Sequence, residues 1–291
     1  MKKIPFILLS IIIIVILLFV YIYSNLKPIM VANDSKLKIV TSTKLLKNLA
    51  EKIGGDSVTV SAIVTGGGCA HEYDPTPGDF KKAASADVII KIGAGFDDWI
   101  NKIVKSVAKK QAAVVDASNG VFLLDDEHNP HYWGNPENVM IMARNILDAL
   151  IKKAPMQNKI FQDNYLKFEA DLKKVTSELK KKVASLRDKR VVSYSAAFPY
   201  FYHFFNIDNI FTVEEGHEQE VTSQQLAGAI CHIQEYHIKV IVGEKTSQKL
   251  PEALARETGA KVVLLWPMVN DTGDYLTTLE ENIEMLVKAL Q

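Results

Sequence analysis

Residues 156–188 read MQNKIFQDNYLKFEADLKKVTSELKKKVASLRD. Within this stretch Phe161, Tyr165, Phe168, Leu172, Val175, Leu179, Val183 and Leu186 recur at steps of three and four, with lysines between them. That period places the apolar residues on one face of a single amphipathic helix. A helix of about 30 residues spans roughly 45 Å at 1.5 Å per residue. Helices much longer than about 25 residues suggest a coiled coil or a spanning element. What lies on either side decides for a rigid strut, and its lysines read as a solvated face.

On the amino-terminal side, residues 37–40, 58–64, 88–92 and 113–115 read as strands, and 43–53, 77–84, 99–108 and 136–151 as helices. After residue 188 the alternation resumes. Strands are expected at 191–194, 210–213, 240–243 and 262–265, and helices at 197–206, 223–235, 247–258 and 275–290. Strands alternating with helices argue for βα units and parallel sheets. The expected fold class is α/β, with two similar βα lobes joined by one long rigid helix. The expected organisation is a segment 1–35, a lobe 36–155, a linking helix 156–188 and a lobe 189–291.

Composition bounds the function. Hydrophobic residues make up 48% of the 291 and charged residues 23%, as in an ordinary globular protein. Lys+Arg and Asp+Glu are 34 each, leaving no net charge to attract nucleic acid. The only cysteines, Cys69 and Cys231, are too few for a disulfide scaffold or a thiolate zinc site, and buried free thiols are expected.

Met1, Lys2 and Lys3 precede an uncharged apolar run over residues 4–23. A run of about 20 residues is enough to cross a bilayer as a helix. Secretory signals carry a shorter apolar region of about 7–15 residues and a small-residue cleavage site. Here the weak cleavage candidate is near Ala32, and no cysteine follows the run to take a lipid. The reading favours an uncleaved anchor over a cleaved signal. The two lysines stay inside and the body lies outside, on the outer face of the cytoplasmic membrane or in the periplasm.

Candidate chemistry sits in two loops. His71 follows Gly66, Gly67 and Gly68 at the end of an expected strand, and Pro75 and Pro77 stiffen the backbone behind it. Ligands of parallel sheets collect at the carboxyl ends of the strands, where this loop lies. The second loop repeats the device: His131 stands between Pro130 and Pro136, with Asn135 as helix cap. Imidazole suits zinc and its first-row neighbours.

These motifs carry a resemblance. The chain resembles the substrate-binding proteins of bacterial zinc and manganese ABC importers over residues 36–291. His71-x-Tyr73-x-Pro75-Thr76-Pro77-x-Asp79 is similar to the segment of that family's first ligand, and Pro130-His131-x-Trp133-x-Asn135-Pro136-x-Asn138 to the second. Gly273-Asp274-Tyr275, with Asn282 beyond it, resembles the segment supplying an aspartate ligand, although Asp271 is a neighbouring alternative. The resemblance implies two α/β lobes, one long helix, and a metal site in the cleft between the lobes.

One position departs from the pattern. The run Ala197-Phe198-Pro199-Tyr200-Phe201 is present, but the expected histidine or glutamate before it is Ser195, a poor ligand. His217, in Glu214-Glu215-Gly216-His217-Glu218, is a candidate replacement or else an exposed loop residue. The expected metal set is therefore His71, His131, Asp274 and His217, with Glu215 or Glu218 useful nearby. His203, His232 and His237 receive no role.

The cargo implied is zinc, with manganese next, since imidazole suits zinc and the glutamate is missing. The partners implied are a divalent ion and an ABC permease; the protein acts as a monomer, with no nucleic acid and no catalytic step. A membrane-anchored zinc hydrolase with an open coordination position is the enzyme alternative, without a His-Glu-x-x-His helix to support it. A surface metal-binding adhesin or sensor is the third reading.

Overall fold

The computed structural model describes residues 15–18, 36–65, 70–107, 112–124, 129–214, 221–247 and 251–291. The glycine run with Cys69, residues 125–128, and His217 with Glu215 and Glu218 lie outside the described residues. Residues 1–35 and 36–291 are separate compact units. Of the first, residues 15–18 are helical and exposed, and the rest of the expected anchor lies outside the described residues. Among the described residues no helix is long and apolar enough to cross a membrane.

The second unit contains two parallel sheets of four strands. The first comprises β1 (Leu37–Thr41), β2 (Val58–Ala62), β3 (Val88–Lys91) and β4 (Ala113–Asp116), in the order β2-β1-β3-β4. Val88, Ile89 and Ile90 are fully buried in succession, as a strand covered on both faces requires. The second sheet repeats this topology as β6-β5-β7-β8, from β5 (Arg190–Ser193), β6 (Asp208–Thr212), β7 (Val240–Glu244) and β8 (Lys261–Leu265). Each sheet therefore reverses its strand order once, between β1 and β3 and between β5 and β7. Those are the points where open α/β sheets form a crevice at their carboxyl ends.

Helices α1 (Lys44–Gly54), α2 (Pro77–Ala84), α3 (Ile100–Val107) and α4 (Pro136–Lys153) accompany the first sheet. Helices α6 (Pro199–Phe205), α7 (Ser223–Glu235), α8 (Glu252–Thr258) and α9 (Tyr275–Leu290) accompany the second. Between the two sets runs α5 (Asn158–Ala184), 27 residues or about 40 Å long. Phe161, Phe168, Leu172, Thr176, Leu179 and Val183 form its buried face, packed on α1, α4 and α9. Fully burying one such Phe or Leu contributes about 1.5–3 kcal/mol. Lys182 reaches Glu284 of α9 at 3.0 Å, and Lys180 stands 3.7 Å over the Phe204 ring.

A continuous core runs through both lobes, from Ile39 and Leu49 through Phe161 and Leu172 to Phe201 and Ile283. Smaller clusters around Ile89 and Trp99, and around Ile241 and Ile233, fill the outer faces of the two sheets. The lobes are also joined by polar contacts. The Trp133 indole N–H donates to the Pro267 carbonyl at 2.9 Å, and the Tyr275 hydroxyl donates to the Trp133 carbonyl at 2.8 Å.

The departures from sequence expectation have local causes. α5 stops at Ala184 rather than reaching 188, and the Ser185 hydroxyl just past its end donates to the Lys182 carbonyl at 2.7 Å. Beyond it Asp188 accepts from the Arg190 backbone N–H at 3.1 Å and from its guanidinium at 2.7 and 2.8 Å. The Arg190 bonds hold the Asp188 carboxyl down to about 2. α8 spans Glu252–Thr258 with Pro251 as its N-cap, and residues 248–250 of the expected helix lie outside the described residues. α6 starts at Pro199, suited to a first helical position, and ends with Asn206 in the left-handed region at φ 55°. Cys231 is a free thiol but exposed on α7, correcting the expectation of burial.

Candidate metal-binding cleft

The loop from β2 to α2 carries His71, and the shape of that loop explains its sequence. Asp79, only 3% exposed, accepts the Tyr73 hydroxyl at 2.7 Å, the Thr76 backbone N–H at 2.9 Å and the Thr76 hydroxyl at 2.7 Å. Burial pushes the Asp79 carboxyl up, but the bonds from Thr76 and Tyr73 outweigh it and leave the group below the usual range. Thr76 and Asp79 form a capping box with Pro77 in the first turn of α2. The Trp99 indole N–H donates to the Ala70 carbonyl at 2.8 Å, fixing the other side of the loop. Tyr73, Thr76 and Asp79 thus build the loop that presents His71.

His131, 4% exposed, precedes a short 3-10 turn, Tyr132–Gly134, that leads into α4. Asn135 caps α4 by accepting the Glu137 N–H at 2.8 Å. Asn138 exchanges hydrogen bonds with both backbone groups of Phe122 at 2.8 Å and donates to the Tyr132 carbonyl at 3.0 Å. Asn129 sets the tautomer of His131. Its Oδ1 accepts the His131 backbone N–H at 3.0 Å, and its Nδ2 donates to the Ala196 carbonyl of the other lobe at 2.7 Å. The amide orientation is fixed at both ends, so His131 Nδ1, 2.9 Å from Oδ1, is the donor. The lone pair of the neutral ring then lies on Nε2, the arrangement that orients metal-ligating histidines.

The ring centroids of His71 and His131 are 5.3 Å apart. Two imidazoles at Zn–N distances of about 2.0–2.1 Å in tetrahedral array hold their centres about 5 Å apart. The centroid of the Phe96 ring lies 4.0 Å from that of His71 and 4.7 Å from that of Trp133, an apolar backing on one side of the pair.

These rings line a cavity of about 580 Å³. Its floor is the carboxyl ends of both sheets: Thr43 after β1, Glu214 after β6, Glu244 and Lys245 at the end of β7, and Trp266 through Asp271 after β8. Glu214 is 8% exposed, Glu244 half-buried and Asp271 exposed at the rim. Lys245 Nζ stands 4.7 Å over the Trp266 ring.

The structure brings His71 and His131 together and does not bring Asp274 to them. Asp274 caps α9 by accepting the Thr277 N–H at 3.0 Å, and it pairs with Lys52 of α1 at 2.6 Å. Burial pushes its carboxyl up, but Lys52 and Thr277 bring it below the usual range. Asp271 lines the cavity instead. Among the described residues no three His, Cys, Asp or Glu side chains converge closely enough to hold an ion.

The family model described as zinc-uptake complex component A, periplasmic (ZnuA) matches residues 39–289. The chain belongs to the ZnuA family. It is 28% identical over 244 residues to the metal ABC transporter substrate-binding lipoprotein SloC of Streptococcus mutans, covering 79% of this chain and 80% of that one. It is 29% identical over 236 residues to the iron-binding protein YfeA of Yersinia pestis, covering 78% and 75%. A crystal structure of ZnuA superposes with a TM-score of 0.81 at 27% identity, covering 88% of this chain and all of that one. The chain is accordingly a metal ABC transporter substrate-binding protein, and the ZnuA family is one of transport proteins rather than enzymes.

Against the ZnuA-family pattern, Ser195 is buried and its hydroxyl donates to Glu244. Sequence reading missed Glu244 and gave Glu214 no role. Glu244 ends β7 and Glu214 follows the end of β6, and that position was the available signal. His232 stacks between Phe211 and Tyr236, and His203 is exposed on α6.

Proposed function

We propose that this protein captures a first-row divalent cation outside the cytoplasm, with zinc first and manganese or iron next, and delivers it to an ABC permease. His71 and His131 are the core of the site. The observation that supports this reading is the 5.3 Å ring separation, combined with the Asn129 bond that turns Nε2 of His131 into the lone-pair nitrogen. Glu214, Glu244 and Asp271 supply oxygen donors to the same cavity, and a mixed imidazole–carboxylate set accepts manganese and iron as well as zinc. A relative named for iron favours the same breadth. The affinity order across such a set follows Mn²⁺ < Fe²⁺, with zinc above both.

The apolar run at residues 4–23 holds the protein at the membrane, and the monomer docks both lobe tips on the permease. Equilibrium dialysis of the full-length chain against zinc, iron(II) and manganese, with elemental analysis, tests the reading. One ion per chain, held most tightly for zinc, is expected. Retention of none of the three at micromolar metal contradicts it.

A further inference from the structure

Glu244 is the last residue of β7, beside β5 where the second sheet reverses its strand order. One oxygen, Oε1, accepts the hydroxyl hydrogen of Ser195, and the other, Oε2, accepts from the Thr246 hydroxyl at 3.4 Å. Ser195 is 3% exposed, and its Oγ accepts the Ala197 backbone N–H at 3.1 Å. With that lone pair engaged, the hydroxyl proton is directed at the carboxylate. An ionised carboxylate offers about four lone-pair sites on its two oxygens, so Oε1 can keep Ser195 while Oε2 meets an ion.

Resting on the reading that this cavity takes a divalent cation, we infer that Glu244 is the anionic metal ligand from the second lobe and Ser195 its positioning residue. A serine hydroxyl is a poor donor to a first-row ion, but it is a good hydrogen-bond donor to a carboxylate that is one. Asp271 is exposed at the rim, whereas Glu244 is half-buried and held by a buried side chain. Glu244 lines the same cavity as His71 and His131. His71, His131 and Glu244 then make a two-imidazole, one-carboxylate set with room for water, open to zinc, iron and manganese.

The test is zinc titration of the full-length chain in competition with a chromophoric chelator, for wild type, Glu244→Gln, Ser195→Ala and the double variant. Glu244→Gln keeps size and an acceptor for Ser195 but removes the charge. It is expected to lower zinc affinity at least ~100-fold, and Ser195→Ala about 10-fold, as for groups that orient a ligand. In the Glu244→Gln background Ser195→Ala should have no further effect, a non-additivity that a merely structural serine does not produce. If Glu244→Gln does not fold, Glu244→Asp, which keeps the charge and shortens the reach, serves in its place. Wild-type affinity in the folded variant overturns the role of Glu244 and leaves the proposed function standing. Absence of zinc binding by the wild type overturns the proposed function itself.

Discussion

Asn129 accepts the Nδ1 proton of His131 at 2.9 Å, with its own amide nitrogen anchored on the opposite lobe at the Ala196 carbonyl. The orientation of the first-lobe His131 ring is thus set by a residue that also bonds across the cleft. Asn129→Ala removes that setting without touching a ligand. Zinc affinity is expected to fall about 10- to 100-fold, read by competition titration, with a stability loss of about 1 kcal/mol in chemical denaturation. Unchanged affinity would show that the bond does not govern the ring.

The carboxylates after β8 separate by role. Asp271→Asn is expected to weaken zinc binding several-fold, and Asp274→Asn to leave it within about twofold, because Asp274 is engaged by Lys52 and the first turn of α9. Parallel titrations decide it, and a larger loss for Asp274→Asn would restore that residue to the site.

Asp274 should show itself in acid instead. A carboxyl held below its ordinary value of about 4 stabilises the fold above that pH. The stabilisation is lost as pH falls through the lowered folded value. Asp79 and Asp188 act in the same direction. Unfolding free energy is therefore expected to drop below about pH 4, and Asp274→Asn to flatten part of that drop. Since the Lys52 pair is partly exposed, its share is about 1 kcal/mol or less. An identical pH profile for the variant would remove Asp274 from this role.

The two lobes repeat one fastening. Asn138 bonds both backbone groups of Phe122, and Asn282 bonds both of Trp266 at 2.9 Å. Replacing either by Ala removes two hydrogen bonds to part-buried backbone groups and should cost about 1–2 kcal/mol. Asn138→Ala is also expected to reduce zinc affinity, since its second bond holds the Tyr132 carbonyl beside His131. Denaturation and titration of both variants check this; an equal affinity loss in Asn282→Ala would contradict the distinction.

Much of this architecture was legible because its causes are local. The period of Phe161, Phe168, Leu172 and Leu179 announces the long helix, and the apolar residues Val88, Ile89 and Ile90 announce a covered strand. Pro77 and Asn135 mark helix starts that the structure bears out. The second wall of the cleft was less legible. Glu244 gains significance only from its contact with Ser195, 49 residues away in the chain. Asp271 and Asp274 cannot be told apart without knowing that Lys52 packs against one of them. Pairings across the sequence decide such roles, and no short motif records them.

The most direct measurement is calorimetric zinc titration of the purified full-length chain beside its His71→Ala and His131→Ala variants, with thermal melting of the metal-free proteins as the folding check. Binding of one zinc ion per wild-type chain and its loss in both folded variants is the expected result. Wild-type affinity in either folded variant would contradict a site built on this histidine pair.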